Sequence, residues 1–299
     1  MKKPNMRQQF TSTLSELMIV DERLTILLGD IGVFGFRQVF SDYPTRIYNI
    51  GILEQSSVGL ASGLAMTGLI PVVHTIAPFL VERCYEQLKL DFGYQKLGGN
   101  FISVGASYDY AALGCSHHCP GDVGILKNIP GMSIIVPGTA KEFDILFKES
   151  YNNGKPNYYR LSENSNNSDQ DVNFGKGSVI KAGNKATLIV VGPMLQPVLE
   201  ASADLDVNIL YYTTIYPFDH DLLQSIILND EKVVIIEPYY SGSITVDIIN
   251  SLENKNVKIC HIGVPREFLT NYGTKSEHDI SLGLDSLSIR KKLLNFINK

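Results

Sequence analysis

Four places in this 299-residue chain carry side chains that could do chemistry. Glu54 stands in YNIGILEQSSVGLASGLAMTG, where a strand ends near Gly51 and a helix rich in Gly, Ala and Ser follows. Small residues at Gly59, Ala61, Ser62, Gly63 and Ala65 let another backbone or a ligand come close. The helix dipole favours an ionised carboxylate in the first turn, so Glu54 suits a functional acid and equally a simple dipole complement. A second run, PVVHTIAPFLVERCYEQLKLD, joins a strand ending near Thr75 to a helix opening at Pro78, a residue suited to a first turn. Phe79 then stands near the carboxyl edge of the sheet, or in the core. The third, GCSHHCPGD (114–122), crowds Cys115, His117, His118 and Cys119 into five residues. Structural zinc wants four ligands, commonly as two separated pairs, and Cys84 and Cys260 have no partner nearby. A loop histidine serves better as an acid, a base or a hydrogen-bond donor near neutral pH. Last, GDIG (29–32) and GDVG (121–124) are Gly-Asp patterns but neither a Walker nor a dinucleotide fingerprint.

The elements that would position these groups alternate between short β-rich runs and helical stretches. Strands are expected at Leu24–Leu28, Arg46–Ile50, Pro71–Thr75, Phe101–Val104, Ser133–Val136 and Asn157–Leu161, with helices at Glu54–Met66, Pro78–Gln95 and Thr139–Tyr151. A polar run, SENSNNSDQDVNFGK (162–176), reads as a linker and solvated tether. A second alternation follows, with strands at Ala186–Val191, Val207–Tyr211, Lys232–Glu237 and Val257–Ile262 and a tail helix at Leu287–Asn298. The pattern predicts two α/β domains, 1–162 and 177–299, joined by 163–176, each a mostly parallel sheet flanked by helices. Ligands of open α/β sheets sit at the carboxyl ends of strands, where several of the candidate residues fall.

Composition narrows the class. Hydrophobic residues make up 44% and charged residues 19%, the net charge is −5, and the basic residues are dispersed, which argues against a nucleic-acid surface. No apolar run nears the ~20 residues of a membrane span. MKKPNMRQQF has no apolar stretch after its lysines, and the four cysteines are too few for a secreted scaffold, so a reducing cytoplasm is expected.

Taken in order, these features resemble the transketolase family. YNIGILEQSSVGLASGLAMTGLIPVVHTIAPFLVERCYEQLKLD and LGCSHHCPGDVGILKNIPGMSIIVPGTAKE carry the similarity, which covers residues 5–162 well and 177–299 more loosely. It implies a pyrimidine-binding domain followed by a transketolase C-terminal domain, and thiamine diphosphate as cofactor. Glu54 matches the glutamate on N1′ of the aminopyrimidine, Phe79 the aromatic stacked on that ring, Asp30 and Ile31 a pair beside the cofactor, and Ile76 a position beside the pyrimidine. His117 matches the histidine that meets substrate oxygens, with His118 the runner-up, and Arg160 an arginine for a substrate phosphate. The family's Gly-Asp-Gly signature for diphosphate and metal is missing. The resemblance therefore implies a split enzyme, in which a separate N-terminal subunit holds the diphosphate and Mg²⁺ and meets this chain as α2β2.

Departures bear on substrate. Positions of a family His and Ser that hold sugar phosphate fall at Gly105 and Phe34, and an acidic position at Leu113. They predict an altered acceptor, nucleotide-linked or unphosphorylated. The expected reaction is transfer of a two-carbon ketol unit from a ketose to an aldehyde. The alternatives are the β-subunit of a 2-oxoacid dehydrogenase decarboxylase, a deoxyxylulose-phosphate-synthase-like enzyme, and a non-catalytic regulatory subunit.

Overall fold

The computed structural model describes residues 3–229 and 231–298. Among the described residues, apolar runs bounded by turns give twelve strands. They are β1 (Leu24–Leu28), β2 (Ile47–Asn49), β3 (Ile70–Ile76), β4 (Gly99–Val104), β5 (Ser133–Ile135), β6 (Pro156–Arg160), β7 (Gly177–Lys181), β8 (Thr187–Val191), β9 (Asn208–Tyr212), β10 (Thr214–Tyr216), β11 (Glu231–Tyr240) and β12 (Val257–Val264). They form a seven-stranded sheet, β10-β5-β6-β4-β3-β1-β2, and a five-stranded sheet, β12-β11-β8-β9-β7. Every pairing of these strands is parallel except β10 with β5 and β7 with β9. Helices cover the sheets, so β1, β4, β6 and β8 are buried throughout and show no alternation of apolar and polar residues. The chain is thus a two-domain α/β protein.

The expected strands and the Glu54–Met66 helix occur within a few residues of their expected bounds. Three features differ. A helix at Met6–Val20, not foreseen, opens with a capping box in which Asn5 Oδ1 accepts from Gln8 N (2.8 Å) and Gln8 Oε1 accepts from Asn5 N (3.0 Å). It buries Phe10, Leu14 and Met18 against the first sheet. The helix expected over Pro78–Gln95 is broken into Ala77–Val81, Tyr85–Gln87 and a wide π-type turn, Leu88–Tyr94. The third difference lies between the domains. β10 belongs by sequence to the second alternation but pairs with β5 of the first sheet.

Residues 162–176 are not a loose tether. Asn166 is buried: its amide N–H donates to Gly138 O (2.9 Å), its Nδ2 donates to Gly192 O (3.1 Å), and its Oδ1 accepts from Gln196 N (3.0 Å). Gln170 N donates to Glu142 Oε1 at 3.1 Å and Gly175 N to Thr214 Oγ1 at 3.0 Å. The polar side chains that mark the segment as a linker in sequence satisfy backbone and side-chain groups of both domains. Gly138 is required here, since a Cβ on it would lie 2.1 Å from both Asn166 Nδ2 and the Tyr211 hydroxyl.

Candidate active site

The parallel strands of the first sheet present their carboxyl ends along one edge, in the order β5, β6, β4, β3, β1, β2. Asp30 follows β1, Glu54 follows β2, Phe79 follows β3, the loop with His117 and His118 follows β4, and Arg160 ends β6. One edge therefore gathers residues spread over most of the first half of the chain.

Glu54 is the first residue of its helix, and the N-cap residue before it, Leu53, offers no side-chain hydrogen bond to the helix start. The residue is only 3% exposed, with Ser57, Val58, Ala61 and Ser62 buried below it on the same face. Its Oε2 accepts from Arg83 Nη1 at 2.7 Å. Arg83 leaves the break between Val81 and Tyr85, and its guanidinium lies 4.4 Å from the Phe79 ring centroid. Phe79 in turn meets the His117 ring edge-to-face, with centroids 5.3 Å apart. Glu54, Arg83, Phe79 and His117 thus form one contiguous group. Arg83 was missed by sequence reasoning because a continuous helix gave no reason to turn it toward Glu54.

The adjacent histidines diverge. His117 is half-buried and its Nδ1 lies 3.1 Å from Ser116 Oγ. His118 is 7% exposed, turns toward His278 of the second domain, and has no hydrogen-bond partner on either ring nitrogen. Burial lowers its pKa, with further lowering from neighbouring His278 and His117.

Asp30 is a non-glycine residue in the left-handed region (φ 61°), a conformation uncommon outside glycine. Asn49 stabilises it from both sides: Asn49 Oδ1 accepts from Asp30 N (3.0 Å) and Asn49 Nδ2 donates to Asp30 Oδ1 (3.1 Å). Ile31 and Ile76 are both half-buried and pack on the core. Ile76 is the residue immediately before the helix that carries Phe79.

Arg160 does not suit the phosphate-binding part suggested by resemblance. It is 1% exposed, donates from Nε to Asp122 Oδ2 (2.7 Å) and from Nη2 to Ser107 Oγ (2.6 Å), and lies against the Tyr239 ring. Its charge is consumed by a buried carboxylate between the domains, which leaves no accessible face for an anion. The departures noted in sequence also have local causes. Gly105 adopts φ +77°, and a Cβ there would lie 2.7 Å from the Tyr110 ring and 3.2 Å from Ile76 Cγ2, so an aromatic occupies that space. Phe34 is 80% exposed with the Arg37 guanidinium over its ring. Beside Gly105 opens a cavity of about 280 Å³, lined by Arg7, Tyr110, Leu161, Ser162 and Glu163 among others. Among the described residues no cluster of three or more metal-ligating side chains occurs, and no helix is long and apolar enough to cross a membrane.

Comparison with known proteins identifies the family. The family model described as transketolase, pyrimidine binding domain, matches residues 2–168, and transketolase, C-terminal domain, matches residues 175–287. The chain belongs to the transketolase family. It is 38% identical to an uncharacterized 33.6 kDa protein in the fasciation locus of Rhodococcoides fascians, covering 96% of this chain and 93% of that protein. It is 27% identical to a subunit of the apulose-4-phosphate transketolase of Phocaeicola vulgatus, covering 98% and 97%. A solved structure described as a split gene transketolase, inactive β4 tetramer, shares the fold with a TM-score of 0.86 at 22% identity, covering 99% of each chain.

Proposed function

We propose that this chain is the pyrimidine-binding subunit of a two-chain, thiamine-diphosphate-dependent transketolase that moves a two-carbon ketol unit from a ketose donor to an aldehyde acceptor. The observation that carries the reading is the buried Glu54 carboxylate grouped with Phe79 and His117 at the carboxyl edge of the sheet. A buried acid beside an aromatic face fits the polar edge and the flat face of an aminopyrimidine. Arg83, whose side chain is 43% exposed, holds that acid and is free to swing outward when the ring arrives.

When bound, thiamine diphosphate supplies a nucleophilic carbanion centre that accepts the two-carbon unit. Glu54 holds a proton at N1′ of the pyrimidine, and proton transfer by a positioned group contributes about 10² to 10⁴ in rate. Phe79 stacks on the ring, worth roughly 0.5–1.5 kcal/mol beyond burial. Asp30, Ile31 and Ile76 line the same edge beside it. His117, with Nδ1 turned to Ser116, offers Nε2 to the oxygens of the sugar. His118 is directed elsewhere.

The partner is a chain that holds the diphosphate and Mg²⁺. Beside Glu54 lie Ile52 (68% exposed) and Leu53 (57%), and the helix it opens exposes Leu60 (46%) and Met66 (66%) farther along, apolar surface suited to a second subunit. The Phocaeicola relative, matched over 97% of its length, is itself named as one subunit of its enzyme, which supports the same arrangement. The acceptor lacks the usual phosphate: Arg160 is consumed internally, and the cavity beside Gly105 sets Glu163 as well as Arg7 in its wall. The domains divide near residues 162 and 177, and the assembly works in the cytoplasm.

The test is to combine this chain with a diphosphate-binding partner and assay ketose donors against phosphorylated and free aldose acceptors, with pyruvate as a control donor. Ketol transfer that needs both chains is expected. Turnover of pyruvate alone would favour a 2-oxoacid decarboxylase or deoxyxylulose-phosphate-synthase-like activity, and full activity on phosphorylated pentoses would refute the acceptor assignment.

A further inference from the structure

The loop carrying His117 and His118 is gripped by the C-terminal domain. At its base Cys119 N donates to Ser107 O (2.7 Å), and the Ser107 hydroxyl donates to Pro238 O of the second domain. Along its length Tyr108 OH donates to Asp279 Oδ1 (2.6 Å), and Lys275 Nζ lies 4.9 Å from the Tyr108 ring centroid while pairing with Asp279. The His278 ring packs 5.5 Å from Tyr108 and 5.9 Å from His118. Near its tip a Cβ on Gly114 would lie 2.8 Å from the Tyr272 ring. Lys275, His278 and Asp279 share one helix, Lys275–Leu282, which a reciprocal Thr274–Glu277 capping box makes a firm mount.

Both ring nitrogens of His118 and Nε2 of His278 are buried without a hydrogen-bond partner. The His118 and His278 rings pack edge-to-face across the domain boundary, and the His278 ring also lies against Tyr108, so one residue of the second domain touches both ends of this stretch.

We propose that His278 and Asp279 are positioning residues for the reaction: Asp279 fixes Tyr108, and His278 buttresses His118, so that the C-terminal domain sets the placement of His117. This rests on the reading that His117 meets the substrate. The C-terminal domain then contributes to turnover without touching the substrate. Misplacement by an ångström can cost about 100-fold in rate, which sets the scale of the effect.

The test combines His278→Ala, which removes the ring that packs on Tyr108 and His118, with His278→Phe, which restores a ring there, and Tyr108→Phe, which removes the hydroxyl held by Asp279. In the two-chain complex, His278→Ala is expected to lower kcat about 10- to 100-fold with KM within about twofold, and His278→Phe to recover part of the loss. On the full chain alone, amide hydrogen exchange over residues 106–119 should quicken in His278→Ala and in Tyr108→Phe. Wild-type exchange in both variants overturns the proposal, whatever the complex does with sugars, as does wild-type kcat in His278→Ala. A wild-type complex inactive on every ketose would instead refute the transketolase reading, and the exchange data would still decide this one.

Discussion

Glu54 and His74 show how the same sheet treats two titratable side chains oppositely. Glu54 finds a cation, Arg83, at 2.7 Å. His74, on β3, is fully buried beside Phe10, with its Nδ1 2.9 Å from Ile102 O and its Nε2 unpaired. Loss of water around the ring depresses its pKa to about 4, which the bond to Ile102 only partly offsets. The unfolded chain takes up that proton near pH 6.5. A neutral His74 therefore contributes its full share of stability above that pH and loses it as the pH falls toward about 4. Between pH 7 and pH 5 the wild type should lose about 2 kcal/mol more than His74→Phe does. Urea unfolding at the two pH values checks it. Asp109, raised to about 6 by burial, titrates in both proteins and cancels in the difference. The placement of Glu54, Phe79 and His117 at the sheet edge was legible because each follows the end of a parallel strand. Arg83 and the fate of Arg160 were not, because each depends on contacts across tens of residues that no local pattern records.

At the scale of elements, strands were readable because buried parallel strands are short apolar runs between turns. Broken helices were not, since Pro78–Gln95 keeps helical spacing through Tyr85, Leu88 and Phe92 while the backbone breaks near Arg83 and widens from Leu88. The helix Met6–Val20 was overlooked although Asn5 and Gln8 carry a capping signature. The polar segment 162–176 misled in the opposite sense: residues typical of a solvated tether are spent on backbone groups of both domains. Asn166 alone joins Gly138, Gly192 and Gln196. Asn166→Ala should therefore destabilise the chain by about 1–3 kcal/mol, the cost of stranding buried polar groups. Equilibrium denaturation measures it, and a change within a few tenths of a kcal/mol would mean that the segment is indeed a tether.

At the scale of the whole molecule the two domains are tied by charge as well as by β10. Arg160, Asp122 and Ser107 of the first domain meet Pro238 and Tyr239 of the second, and Lys127 pairs with Asp247. Removing one partner of a buried ion pair leaves the other charge uncompensated, at about 3–5 kcal/mol. Arg160→Met should lower stability by that amount while leaving the KM for acceptor nearly unchanged among folded molecules. A large rise in KM with stability intact would return Arg160 to the phosphate site.

The most direct measurement is turnover of the two-chain complex carrying Glu54→Ala, with cofactor saturating and assembly verified by native mass spectrometry. A fall in kcat of about 100-fold or more is expected if this carboxyl group handles the proton at the pyrimidine. Wild-type turnover in a correctly assembled complex would contradict the account.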